Sequence, residues 1–161
     1  MDAGYLATHG GTLVTQGTVE SYVYRIFRLA GFCFNDTRVT GPINLHTRLQ
    51  LYRVTLPHVV EGRYFGLLDN SEGFENDFSL DAIRELDRLL IDRGIRTYFG
   101  ATVTKDKGYS KIVKLAQTNM ETIGLDGTVI KVPDRAAALQ FICDRINEAA
   151  AERDHLRLAG D

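Results

Sequence analysis

The chain has 161 residues, 44% of them hydrophobic and 25% charged, with a net charge of −2 at neutral pH. That is the length and composition of one ordinary globular domain with a buried core. The slightly negative balance excludes the basic field that nucleic-acid binding needs, and no apolar run approaches the roughly 20 residues of a membrane-spanning helix.

Residues 1–11, MDAGYLATHGG, read as a flexible N-terminal arm. They lack the basic stretch and apolar core of a secretory signal. Cys33 and Cys143 are far apart and in no CxxC, so they read as buried thiols of a reducing compartment, and the expected location is the cytoplasm. A first short strand is expected over 12–16. Residues 22–29, YVYRIFRL, are rich in aromatic and β-branched side chains and read as a strand. Ala30-Gly31 bends it, and Phe32 to Phe34 continues it or pairs back as a hairpin. Residues 35–42, NDTRVTGP, read as a loop or an edge strand. A helix follows, with Leu45, Leu49, Tyr52 and Leu56 on one face. Pro57 ends it, because the residue before a proline is pushed away from α.

The stretch 64–94 is the central unit. Tyr64-Phe65-Gly66-Leu67-Leu68 is an apolar run without alternation, as in a strand covered on both faces, and it ends at Asp69. Asn70, Ser71, Glu72 and Gly73 are turn formers. Ser79 stands where a helix N-cap belongs, Asp81 falls in the first turn, and Ile83, Leu86 and Leu90 form one stripe. Gly94 is placed to end that helix in the left-handed conformation. A second strand over 97–103 follows almost at once, so the two strands are expected to be parallel.

Beyond it lies the polar loop 104–109, TKDKGY. Ser110 is the expected cap of a third helix, with Ile112, Leu115, Ala116 and Met120 inward. Gly124 and Asp126-Gly127 turn the chain. A third parallel strand is expected over 128–132. Asp134 then caps a last helix whose inner face is Ala138, Leu139, Ile142 and Ile146. Residues 151–161 read as a charged C-terminal tail that frays. No internal repeat, low-complexity segment or linker stands out. The expectation is an α/β fold, a mixed and mostly parallel sheet with about four helices, in a single domain over 12–150.

Open α/β sheets hold ligands at the C-terminal edge of their strands. Two loops converge there. One carries Asp69, Ser71, Asp77 and Ser79; the other carries Thr104, Lys105, Lys107 and Ser110, a candidate anion or ligand rim beside helix N-termini. Capping and solvated loop positions account for the same serines. The histidines His9, His46, His58 and His155 have no metal-binding spacing. Gly10-Gly11 precedes no lysine-serine pair, and Ser71 sits in NSEG rather than in a nucleophile elbow. Neither a metal, a cofactor nor an enzymatic activity is expected. Exposed edge strands in the N-terminal half leave room for a homodimer.

Three segments carry a resemblance. LLDNSEGFENDFS resembles the strand-ending aspartate-x-serine, then aspartate and serine at a helix start, of STAS domains, the bacterial anti-sigma-factor antagonist group. GPINLHTRLQLY and TVIKVPDRAAALQFI resemble the first-helix opening and the last strand and helix of the SpoIIAA-like branch. The resemblance spans roughly 12–150 in element order. It implies a regulatory or interaction module of bacterial signalling, which presents the loop from Asp69 to Ser79 to a protein partner, a regulator or kinase of the anti-sigma type. Ser79 matches the serine that is phosphorylated in the antagonists, with Asp77, Asp69 and Ser71 beside it. Where the family has aspartate-serine-serine-glycine, this chain has Asp77-Phe78-Ser79-Leu80. The resemblance also implies an alternative, a binder of a small apolar ligand or a nucleotide, as in STAS and SEC14-like relatives.

Overall fold

The computed structural model describes residues 11–160, so the expected N-terminal arm lies, but for Gly11, outside the described residues. Strands β1 (Thr12–Val19), β2 (Tyr22–Leu29) and β3 (Phe32–Val39) form an antiparallel meander. The β2–β3 turn has φ of 53° at Ala30 and 83° at Gly31; two successive left-handed residues give the twist that a tight hairpin requires. After the two-residue β4 (Ile43–Asn44) come α1 (Leu45–Thr55), a 3-10 turn (Leu56–His58) and β5 (Arg63–Asp69). β6 (Asn76–Asp77), α2 (Leu80–Asp92), β7 (Thr97–Val103), α3 (Tyr109–Ile123), β8 (Asp126–Val132) and α4 (Arg135–Ala159) complete the order. The main sheet runs β1-β2-β3-β5-β7-β8, and β3, β5, β7 and β8 are parallel. This is the mixed, mostly parallel α/β fold expected from the sequence.

The helix starts are made by side chains. Asn44 Oδ1 accepts from the Thr47 amide at 3.1 Å while Thr47 Oγ1 accepts from the Asn44 amide at 3.0 Å, a reciprocal cap on α1. Ser79 Oγ accepts from the Ala82 amide at 3.1 Å, as expected for α2. Asp134 Oδ1 accepts from the Ala137 amide at 2.8 Å at the start of α4. Ile83, Leu86 and Leu90 are buried, and Gly94 at φ 83° ends α2.

Five expectations are corrected. Residues 35–39 are neither loop nor edge: they belong to β3, which lies inside the sheet between β2 and β5. Asn35, Asp36 and Thr37 are buried yet hydrogen-bonded, which hides the strand from a reading based on hydrophobicity. Leu51, buried in α1, was not on the expected stripe, and Leu45, Leu49 and Leu56 are only partly covered. Ser110 does not cap α3; Gly108 occupies that position, and Asp106 Oδ1 holds the Gly108 amide at 2.9 Å. Leu115 is 41% exposed and points away from the core. Gly124 turns the chain, but Asp126 and Gly127 already belong to β8, where a Cβ on Gly127 would collide with the Tyr98 carbonyl.

The tail does not fray at Ala151: α4 continues to Ala159. Its charges fasten it to the sheet. Arg153 pairs with Glu61 at 3.1 Å and lies 3.9 Å from the Phe32 ring centroid, and Glu152 faces Arg63 at 3.4 Å. A cation over a ring face is attracted by its quadrupole, so the same residues that look like a solvated tail dock the last turns of the helix.

The sheet has two unlike faces. Side chains alternate across a strand, so each Tyr-Phe pair splits between them. Phe65, Leu67, Ala101 and Val103 face α4 and pack with Phe32, Phe34, Leu139, Ile142 and Ile146 in one dense cluster. Tyr64 and Tyr98 face α1, α2 and α3, with Tyr52, Leu86, Leu90 and Met120.

Candidate functional site

The strand register places Asp69 opposite Val103, and Asn70 N–H donates to the Val103 carbonyl at 2.8 Å. The loops after β5, β7 and β8 therefore gather on one rim, and Asp69, Ser71, Asp77, Ser79, Thr104, Lys105, Lys107 and Ser110 all lie along it. Their environments differ. Asp69 is buried on the α4 face, with Oδ2 accepting from Arg135 Nη1 at 3.1 Å and Oδ1 from the Ser71 amide at 3.0 Å. Burial alone would raise its pKa; the hydrogen bonds from Ser71 and Arg135 outweigh burial and leave it lowered. Arg135 also donates to Asp36 at 2.7 Å, and Arg25 meets the same Asp36 oxygen at 2.7 Å. Asp69 thus ties α4 to the sheet. Thr104, 1% exposed, holds the Asp106 amide at 3.2 Å. Ser71, Asp77, Ser79, Lys105, Lys107 and Ser110 are exposed. Asp77 is held against Asn44 through the β4–β6 pairing. Among the described residues no cluster of three histidine, cysteine, aspartate or glutamate side chains could hold a metal.

A second site lies behind the rim, under the helices. The tripeptide Tyr-Phe-Gly occurs at 64–66 and again at 98–100, and the two copies are paired residue for residue in β5 and β7. On one face the Phe65 and Phe99 rings stack at 5.8 Å; on the other the Tyr64 and Tyr98 rings stack at 4.4 Å and within 3° of parallel. Each glycine makes room for the tyrosine two residues before it. A Cβ on Gly66 would come within 2.7 Å of the Tyr64 ring, and one on Gly100 within 3.0 Å of the Tyr98 ring. The tyrosines lie flat along their strands, and a cavity of about 110 Å³ remains between them and the helices.

The cavity is lined by Tyr52, Tyr64, Tyr98 and Tyr109 together with Arg48 and Asp87, among apolar side chains of α2, α3 and β8. Phe78, next to Ser79 in the rim loop, also lines it. The Tyr52 and Tyr98 hydroxyls are 3.2 Å apart, and Thr102 meets the Tyr109 hydroxyl at 3.5 Å. Burial pushes the hydroxyls of Tyr52, Tyr64 and Tyr98 up, so all three stay neutral and able to donate. Asp87 is buried and accepts from Asn119 Nδ2 at 2.6 Å; burial raises its pKa to about 6 although that hydrogen bond opposes the rise. Arg48 is half-buried, its guanidinium 5.8 Å from the Tyr22 and Tyr52 rings and 5.9 Å from Phe78. Burial would lower its pKa, but the surrounding tyrosine hydroxyls more than offset that and keep it charged.

None of these residues stood among the sequence candidates. The signal was present: a tripeptide repeated in two strands of one sheet, each copy with a glycine two residues after a tyrosine.

No family model matches the chain, and no curated protein matches it significantly. A solved structure does: a protein of the DUF3478 family from Shewanella loihica PV-4, described as having a SpoIIAA-like fold. The match has a TM-score of 0.50 at 16% identity and covers 81% of this chain and 100% of that one. At that identity the likeness speaks for the fold alone. The chain has a SpoIIAA-like α/β fold, as its sequence resemblance implied. No helix among the described residues is long and apolar enough to cross a membrane.

Proposed function

We propose that this chain is a non-enzymatic binding module that takes a small, largely apolar molecule between its sheet and helices α1 to α3. The observation that supports this reading is the tyrosine-lined cavity. Protein interiors hold few voids larger than a water molecule. Here two paired glycines withhold side chains from the middle of the sheet, on the same face as the cavity. The volume decides the size of the guest. At about 110 Å³ it is close to the roughly 150 Å³ cavity that accepts benzene. It is well short of the roughly 300 Å³ where drug-sized sites begin, so a single ring fits and the nucleotide of the alternative reading does not.

Titration with benzyl alcohol, followed by methyl NMR, tests the reading. Saturable shifts are expected at Met120, Val129 and Ile83, which line the cavity, and none at Leu139 or Ile146 under α4. Absence of saturable shifts at the lining methyls would sink it.

The partner-presenting reading keeps one specific support. Ser79 is exposed at the start of α2, and its neighbour Phe78 lines the cavity, so loop 70–79 borders both the guest and the solvent. A regulator or kinase of the anti-sigma type docking there would sense an occupied cavity through Phe78. Affinity capture with Ser79→Ala and Ser79→Asp tests it: a partner held by the alanine variant and released by the aspartate variant supports it. Identical capture by both removes Ser79 from the mechanism.

A further inference from the structure

The cavity contains two groups of opposite charge, and their partners differ. The Asp87 carboxylate is held by Asn119 at 2.6 Å. Arg48 has no such partner: among the described residues no carboxylate lies within salt-bridge distance of it, and no hydrogen bond to its guanidinium is made. Its contacts are the faces of Tyr22, Tyr52 and Phe78. Those faces attract a cation, but they offer no oxygen to its five N–H donors. A half-buried guanidinium with no protein acceptor leaves its donors to water or to a guest. The same fork, aimed into a cavity, matches the geometry of a carboxylate.

We infer that the guest is a small monocarboxylic acid with a body of about one ring, its carboxylate held by Arg48 and its ring packed against the tyrosines. The inference rests on the small-molecule reading above and names the chemistry of its ligand. With the Asp87 carboxylate held by Asn119, the single cation of Arg48 suits a monoanion rather than a dianion. Arg48 is the sole basic residue in the cavity lining, with neither lysine nor a second arginine. A phosphate dianion would leave a negative charge buried without a counterpart. An ammonium guest is disfavoured for the converse reason, since the aromatic faces already hold the cation of Arg48.

Benzoate, benzyl alcohol and benzylamine, three probes with one ring and different charge, separate the alternatives by calorimetry at pH 7.5 on the full chain. Benzoate should bind at least roughly 10-fold tighter than benzyl alcohol, the usual yield of a charge-assisted hydrogen bond pair. It should also move the Arg48 Nε–H resonance, which the alcohol leaves in place. Arg48→Met should bring benzoate down to the affinity of the alcohol while changing the alcohol about threefold or less. Equal binding of benzoate and benzyl alcohol overturns the inference and leaves the cavity reading standing. Preference for benzylamine also overturns it. Failure of all three to bind overturns both readings. The wild-type comparison decides the matter even if Arg48→Met does not fold.

Discussion

The two faces of the sheet are built from neighbouring residues and do opposite things. Tyr64 and Phe65, and again Tyr98 and Phe99, differ by one hydroxyl each and by which way they point. On the α4 side, phenylalanines meet leucine, isoleucine and alanine in one buried cluster. Polar groups stand at its two ends, Asp36 and Asp69 with Arg25 and Arg135 at the rim, and Glu152 and Glu61 with Arg63 and Arg153 at the other. On the other side, tyrosines, Arg48 and Asp87 share an incompletely filled space. One face is covered by α4, and the other keeps a cavity under its helices.

This contrast sets a scale of expected effects. Phe65→Ala, in the dense face, should cost about 3 to 5 kcal/mol in urea unfolding, from lost burial plus a cavity that cannot collapse. Arg135→Met should cost about 3 kcal/mol, because it strips a partner from two buried carboxylates. Its pH dependence is specific. The lowered pKa of Asp69 gives stability that is present above its unfolded value and lost as pH falls through the folded one. The variant should therefore show a smaller acid-induced loss than the wild type.

Asp87 has the opposite sign. Its folded pKa of about 6 lies above the ordinary 3.8, so the folded state binds its proton more tightly than the unfolded chain. The stability it lends is present below pH ~4 and is lost as pH rises through about 6. Asp87→Asn should therefore be more stable than the wild type at pH 7.5, by on the order of 2 kcal/mol, with the difference shrinking toward pH 4. A variant less stable than the wild type at pH 7.5 would mean that the ionised carboxylate is needed where it stands.

Much of the fold was legible in the sequence because it is written in local signals. Ser79 and Asp134 cap the helices they were expected to cap, and Gly94 and Gly124 end theirs. The parallel strands followed from short, unalternating runs between those helices. Residues 35–39 were missed because their burial depends on partners distant in sequence: Asp36 is 99 residues from Arg135. The last turns of α4 were missed for the same reason, since Arg153 and Glu152 look solvated until Phe32, Glu61 and Arg63 are beside them. Of the rim, Asp69 was read as a candidate for partner contact, and the structure holds it buried against Arg135 and the Ser71 amide. Strand-end aspartates of both kinds look alike in sequence, and only the Arg135 contact tells them apart. The cavity was hidden because its four tyrosines, Arg48 and Asp87 come from five elements, and no element carries more than two of them.

The claim that one face is full and the other is not can be tested by adding the same atoms to each. Ala138, buried in α4, and Ala116, which lines the cavity from α3, are the matched positions. Ala138→Leu should destabilise the chain by about 1 to 3 kcal/mol in urea melts, the cost of overpacking. Ala116→Leu should change stability by less than about 0.5 kcal/mol, and should abolish benzyl alcohol binding. Equal destabilisation by the two substitutions would mean that the tyrosine face has no room to give, and the account would fail.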